Sequence, residues 1–311
     1  MLRYLIYSLR IRRVEYRIAE LPVFLIPVLM TAQEDSVFRS AEFWEGGCVF
    51  FFLFAFGDLL NCLADRHLDA IYKPQLTEAV LGIGIRGVIA QATLSAVAAI
   101  GLTIHLAWQL DRWILVPGVA IGLFLAYAYS VEPLRLKSRG LWQLAFYWFG
   151  LFTGPMLFVT LLFDPLPAFP VWVVSLAFGL LQSGIILVNT AEDYPEDSQM
   201  SVNTVIVSLG LTRGIQLAAW LTFIGTIVAV SALIMLYGSR GVLAEHWPWL
   251  LPFAAAASFD SICIARLNSE VVRSNHAAAV EAVRKSAKLV PVWMTTTAIG
   301  CLIAVAGMFF V

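Results

Sequence analysis

The chain has 311 residues, of which 60% are hydrophobic and 13% charged, and its mean hydropathy is +0.83. A soluble domain of this length carries about twice that share of charge, so a polytopic membrane protein is the expected class. The net charge of −1 offers no basic footprint, which argues against nucleic acid as a partner.

Crossing a bilayer takes about 20 mostly apolar residues. Nine stretches qualify in chain order: 16–34, 42–62, 86–108, 113–130, 141–163, 171–190, 214–237, 247–265 and 289–311. Backbone groups cannot go unpaired in lipid, so these are expected as helices. Their long unbroken apolar runs exclude a β-barrel, whose strands alternate. The N-terminus is basic and then apolar, as in a signal peptide, but apolar spans continue to Val311, so the first is read as a retained helix. Cys48, Cys62, Cys263 and Cys301 lie far apart with no CxxC pattern, and are expected as small buried hydrophobes.

The basic residues orient the bundle. With the N-terminus in the cytoplasm, only Arg39, Arg112 and Arg240 of the twenty Lys and Arg fall outside. The polar stretch 268–288 is expected as a cytoplasmic amphipathic helix beside the mouth of the bundle. Trp113, Trp172, Trp247 and Trp249 suit the opposite interface. The expected architecture is therefore all-α: one domain, 1–311, of nine transmembrane helices with a cytoplasmic polar cap over a central cavity. In a bacterium it would lie in the inner membrane, its site opening to the cytoplasm.

Charged groups then stand out. NCLADRHLDAIYKP places Asn61, Asp65 and Asp69 at i, i+4 and i+8, which stacks them on one helix face. Asp58 extends that face deeper into the span, where a carboxylate is costly and functional by default. NTAEDYPED repeats the spacing 128 residues later with Asn189, Asp193 and Asp197, again at a cytoplasmic helix end, with Glu192 and Glu196 beside them. Two acidic faces opposed across a cavity repel, and divalent cations relieve that repulsion. Oxygen-only ligands favour Mg²⁺ or Ca²⁺ over zinc, and Mg²⁺ commonly completes its shell with phosphate oxygens, which points to a diphosphate. Cations to hold it lie in YSVEPLRLKSRG as Arg135, Lys137 and Arg139, and beside the first motif as Arg66 and Lys73. Asp260 is expected to pair with a neighbouring helix, and Gln91, Asn203 and Gln216 to join helices.

These three segments together resemble the UbiA superfamily of intramembrane prenyltransferases, across the whole chain and in the same order. The resemblance implies Mg²⁺-dependent ionisation of an isoprenyl diphosphate (geranyl, farnesyl or geranylgeranyl) within a helical bundle in the lipid bilayer. It implies that Asn61, Asp65 and Asp69 hold one Mg²⁺ and that Asp193 and Asp197, with Asn189 at the matching spacing, hold another. Lys73, Arg135 and Lys137 would grip the diphosphate, and Tyr129, Arg66 and Arg139 join the expected substrate-binding set. Asp65, Asp193 and Asp58 are the expected catalytic groups, Asp58 as second support or final base. Phe146, Tyr147, Trp148, Phe149 and Phe152 are candidates to shield a carbocation from water.

Three positions depart from the family pattern. Cys62 stands where members often have Asp. Lys73-Pro74 comes early compared with an Arg-Pro pair. Ser201 stands where Gly is frequent, three residues before Thr204. Two outcomes stay open within the superfamily: transfer to an aromatic or lipid-like acceptor, or cyclisation of the prenyl chain without one. A cation-coupled transporter is the reading from another class.

Overall fold

The computed structural model describes residues 2–14, 17–32 and 34–308. Residues 16 and 33 of the first expected span, and 309–311 of the last, lie outside them. Among the described residues all regular structure is helical and no strand occurs. The chain divides into two compact units: Met1–Phe24 with Asp35–Leu136, and Leu25–Glu34 with Lys137–Val311.

The first unit holds α1 (Leu2–Ile11), the start of α2 (Arg17–Thr31), α3 (Ala41–Tyr72), α4 (Pro74–Ile83), α5 (Ile85–Leu110) and α6 (Leu115–Ser130). Ser40 caps α3 by accepting from the Phe43 N–H at 3.2 Å. The helix then runs ten residues beyond the expected boundary at 62, because the polar face that follows can stay helical once in water. It stops at Lys73, whose φ of −138° and ψ of 58° are not helical, and Pro74 opens α4 in the first turn. α1 seats Tyr7 and Ile11 in a buried cluster with Leu59, Cys62, Leu76, Ala79 and Val80. The Tyr7 hydroxyl donates to Glu78 at 2.5 Å, and Gln91 of α5 accepts from Ser8 of α1 at 3.0 Å and from Arg12, just past the end of α1, at 2.6 Å. Gln91 thus joins helices as expected.

The second unit contains α7 (Leu141–Ala145), a π-helical segment π1 (Phe146–Thr153), α8 (Gly154–Phe163), α9 (Phe169–Glu192), α10 (Tyr194–Gln199), α11 (Val205–Leu209), α12 (Leu211–Ser239), α13 (Leu243–His246), α14 (Leu251–Arg273), α15 (His276–Ala287) and α16 (Val290–Ala306). Its centre is α9, which packs against α12, π1, α15 and α16 and buries most of its length. At the α9–α12 crossing a Cβ on Gly225 would sit 2.6 Å from the Leu181 nitrogen, so only glycine lets the backbones approach this closely. Asp260 of α14 is fully buried and accepts from Thr297 of α16, the interhelical pairing its position suggested.

Among the described residues six helices are long and apolar enough to cross a membrane, and the pair His276–Ala287 and Val290–Ala306, bent by 45°, makes a seventh if taken as one span. Glu20–Thr31 and Leu115–Ser130 are apolar but shorter. At 1.5 Å per residue the latter covers about 24 Å, less than a bilayer core of about 30 Å. The polar stretch 268–288 is not one helix: its first part completes α14, and only α15 is separate. Cys62 and Cys301 are buried as expected, but Cys48 is exposed, because it shares the outward stripe of α3 with Trp44 and Phe51.

Candidate active site

In the first unit, α3 is unbroken through Tyr72, so Asn61, Asp65 and Asp69 do share one face, with Asp58 half-buried about a turn deeper. Asp69 is buried. The carboxylate of Asp65, 12% exposed, lies 3.6 Å from the Arg135 guanidinium, which also meets Glu132 at 3.4 Å. Arg135 holds this position with φ of 35°, in the left-handed region that a non-glycine residue seldom occupies. The Asn61 side-chain oxygen accepts from the Ser130 hydroxyl at 3.4 Å, beside half-buried Tyr129. Sequence reading missed Ser130, whose only signal was its place next to Tyr129 in YSVEPLRLKSRG.

The flanking bases differ. Arg66 donates to the Leu63 carbonyl of its own helix at 2.8 Å. Lys73 is exposed at the α3–α4 break, and its backbone N–H donates to the Asp69 carbonyl at 2.8 Å. Cys62 explains one departure from the family pattern. Its side chain turns away from the acidic face into the apolar cluster under α1, with Sγ 3.6 Å from the Ile11 carbonyl. A carboxylate there would be buried against a carbonyl oxygen.

The second motif corrects an expectation. Asn189, Asp193 and Asp197 do not lie on one continuous helix. α9 ends at Glu192, Asp193 forms the joint with φ of −86° and ψ of 6°, and Asp197 belongs to α10. Pro195 is the cause: it lacks a donor for an uninterrupted ladder and fits the first turn of a new helix. The Asp197 N–H still donates to the Asp193 carbonyl at 2.8 Å, so about one turn of spacing survives the break. Asn189 and Asp193 are exposed, and Asp197 is half-buried.

Burial, then the charges of Asp193 and Glu196, push the Asp197 carboxyl up to about 6, against the hydrogen bond from Thr204 and the charge of Lys137. Thr204 also caps α11, accepting from the Val207 N–H at 3.3 Å. Thus Lys137 acts on this motif, while Arg139 is exposed on the same loop. Gly140 donates to the Asn203 carbonyl at 2.7 Å, tying that loop to the segment after the motif. Ser201 has φ of 57°. The backbone therefore holds a conformation suited to glycine although serine stands here.

The expected aromatic wall divides. Tyr147 and Phe152 are buried, Phe146 is half-buried, and Trp148 and Phe149 are exposed, because the wider π-helical turn changes which residues face inward. Trp148 donates to the Leu176 carbonyl at 3.0 Å and Thr153 to the Ser175 carbonyl at 3.3 Å, joining π1 to α9. Gln143 accepts from the Val205 N–H at 2.9 Å and donates to the Tyr147 hydroxyl at 3.0 Å. That hydroxyl meets Thr190 at 3.3 Å, directly after Asn189. Thr190 also lies 3.2 Å from the Ile186 carbonyl, to which its hydroxyl can donate. None of this polar chain was visible in the sequence.

The donor chemistry of both motifs fits Mg²⁺. Each offers two carboxylates and an amide, all hard oxygen donors. The crowding of Asp193, Glu196 and Asp197 is a repulsion that a divalent cation relieves. Among the described residues no three His, Cys, Asp or Glu side chains form a metal cluster by themselves. Two carboxylates per motif leave coordination positions for phosphate oxygens.

A model of the UbiA prenyltransferase family matches residues 21–275, most of the chain and both acidic motifs. The chain belongs to the UbiA prenyltransferase family. It is 27% identical over 201 residues to the bacteriochlorophyll synthase 33 kDa chain of Rhodobacter capsulatus, which takes in 59% of this chain and 63% of that protein, under two thirds of its length. The fold is similar to that of a digeranylgeranylglyceryl phosphate synthase, with TM-score 0.70 and 17% identity over 97% of this chain and 98% of the other. A UbiA homolog from Archaeoglobus fulgidus, solved with Mg²⁺ and either DMAPP or GPP, gives TM-score 0.63 and 14% identity over 94% of this chain and 99% of its own.

Proposed function

We propose that this protein transfers an isoprenyl group, from a geranyl, farnesyl or geranylgeranyl diphosphate, to an aromatic or lipid-like acceptor. The observation that carries this reading is the family match enclosing both N-x-x-x-D-x-x-x-D motifs. A bacteriochlorophyll synthase among the relatives and a digeranylgeranylglyceryl phosphate synthase of the same fold support an acceptor of that kind. The proposed topology has nine transmembrane helices, the N-terminus in the cytoplasm and the site opening there. Its support is the basic asymmetry of the loops, with the two shorter apolar helices taken as spans.

Asn61, Asp65 and Asp69 would hold one Mg²⁺, and Asn189, Asp193 and Asp197 another, as a homolog of the same fold binds Mg²⁺ with a prenyl diphosphate. When bound, the metal neutralises charge on the diphosphate oxygens. Lys73, Arg135 and Lys137 orient that diphosphate, with Arg66, Tyr129 and Arg139 in supporting positions. The allylic C–O bond breaks and its electron pair leaves with the diphosphate. Buried Tyr147 and Phe152 keep water from the carbocation. The acceptor attacks the cationic carbon, a new bond forms, and the acceptor's proton passes to a base, for which Asp58 is proposed.

Purified protein incubated with each of the three diphosphates and Mg²⁺, with and without an aromatic or lipid extract, tests this. Diphosphate release that requires the extract supports transfer. Fast release without it, yielding a cyclised hydrocarbon or alcohol, replaces transfer with cyclisation. No release in any mixture overturns the enzymatic reading and directs attention to cation-coupled flux in liposomes.

A further inference from the structure

The second motif carries a carboxylate its spacing does not need. Glu196 adjoins Asp197 yet lies off the register of Asn189, Asp193 and Asp197. Its Oε1 accepts from Arg284 Nη2 at 2.5 Å, and its Oε2 is enclosed without a hydrogen bond. Arg284 is carried by α15, which buries Ala279, Val283 and Ala287 along one face and packs against α9. At the other end of α15 the His276 ring meets Tyr194, with ring centres 6.0 Å apart. One cytoplasmic-side helix therefore touches the motif on both sides of Pro195, and its orientation is fixed by its own buried face.

We propose that Arg284 is a positioning residue that sets cation choice: by occupying Glu196, it keeps that carboxylate from joining Asp193 and Asp197 as a metal ligand. This rests on the proposed metal site. Mg²⁺ is small and octahedral, and binds through one or two carboxylates plus waters and phosphate oxygens. Ca²⁺ accepts 6–8 oxygens in flexible geometry. A third carboxylate, released from Arg284, favours the larger ion and takes a position that a diphosphate oxygen would use.

Cation binding is read without substrate, as the thermal shift of detergent-solubilised full-length protein titrated with Mg²⁺ or Ca²⁺. Arg284→Gln is expected to bind Ca²⁺ about tenfold more tightly than the wild type, with a much smaller change for Mg²⁺. Adding Glu196→Gln to that variant should restore the wild-type ratio. Glu196→Gln alone, which keeps the cation and serves if Arg284→Gln fails to fold, should leave both affinities unchanged. A shift that persists in the double variant, or loss of binding in Glu196→Gln, overturns the inference. So does a wild-type Mg²⁺ response that Asp193→Ala abolishes but Arg284→Gln leaves untouched in its Ca²⁺ to Mg²⁺ ratio. Absence of any wild-type response instead overturns the metal site itself, and the inference falls with it.

Discussion

Arg135 lies 3.6 Å from the Asp65 carboxylate, and both side chains are largely enclosed, at 30% and 12% exposure. A loop base is thereby fixed on the acidic face of α3. If Arg135 also holds the diphosphate, Arg135→Gln should lower kcat/KM for the prenyl diphosphate by about 10–100-fold, and Arg135→Lys by less. Equal activity in Arg135→Gln and the wild type would remove this residue from the substrate site.

Asp65→Ala and Asp193→Ala should each reduce turnover by at least about a thousandfold while leaving extractable, folded protein, because each would remove a proposed Mg²⁺ ligand on which charge neutralisation would depend. Diphosphate release measured alongside gel filtration separates lost chemistry from lost folding. Full activity in either variant would end the two-motif assignment.

Ser201→Gly should stabilise the protein by about 0.5–1 kcal/mol. Holding a non-glycine residue in the left-handed region costs about 1–2 kcal/mol, and glycine's greater freedom in the unfolded chain returns roughly half of that. A melting curve in detergent should move up by about 1–3 °C. A fall would show that the serine side chain contributes more than its backbone strain costs.

Gly179→Ala should destabilise by about 1–3 kcal/mol. Its new Cβ would meet the Thr153 hydroxyl oxygen at 2.1 Å and the Trp148 carbonyl at 3.0 Å, and backbone cannot move aside cheaply. An unchanged melting curve would mean that π1 shifts freely on α9.

The pH dependence follows from Asp197, whose carboxyl is lifted from 3.8 to about 6. The folded state holds that proton more tightly than the unfolded chain does. Ionisation therefore imposes no penalty below pH 3.8, a growing one as pH rises towards 6, and a constant one above. Since a cation at the proposed site would bind the ionised form, the Mg²⁺-induced thermal shift should be larger at about pH 7.5 than at about pH 5. The same shift at both values, or an unaltered difference in Asp197→Asn, would count against it.

The first motif was legible because its spacing sits within a helix that nothing interrupts. The second was legible as chemistry but not as geometry: the spacing is identical, while Pro195 turns one helix into two. Hydropathy located the apolar helices, yet the short α6 and the bent α15–α16 pair depend on turns it does not encode. The π-helical register of 146–153 left no sequence mark, so an aromatic run gave no means of separating buried Tyr147 and Phe152 from exposed Trp148 and Phe149. Arg284 was plain topology until α15 placed it on Glu196.

Cys62 supplies the protein with an internal clock. Its thiol is shut away where α1 covers α3, three residues before Asp65 on the same helix. A modifying reagent can reach it only when the N-terminal helix lifts, so its labelling rate in detergent reports how often that happens. That single rate thus tells how often the stretch of α3 that carries the first acidic motif is uncovered.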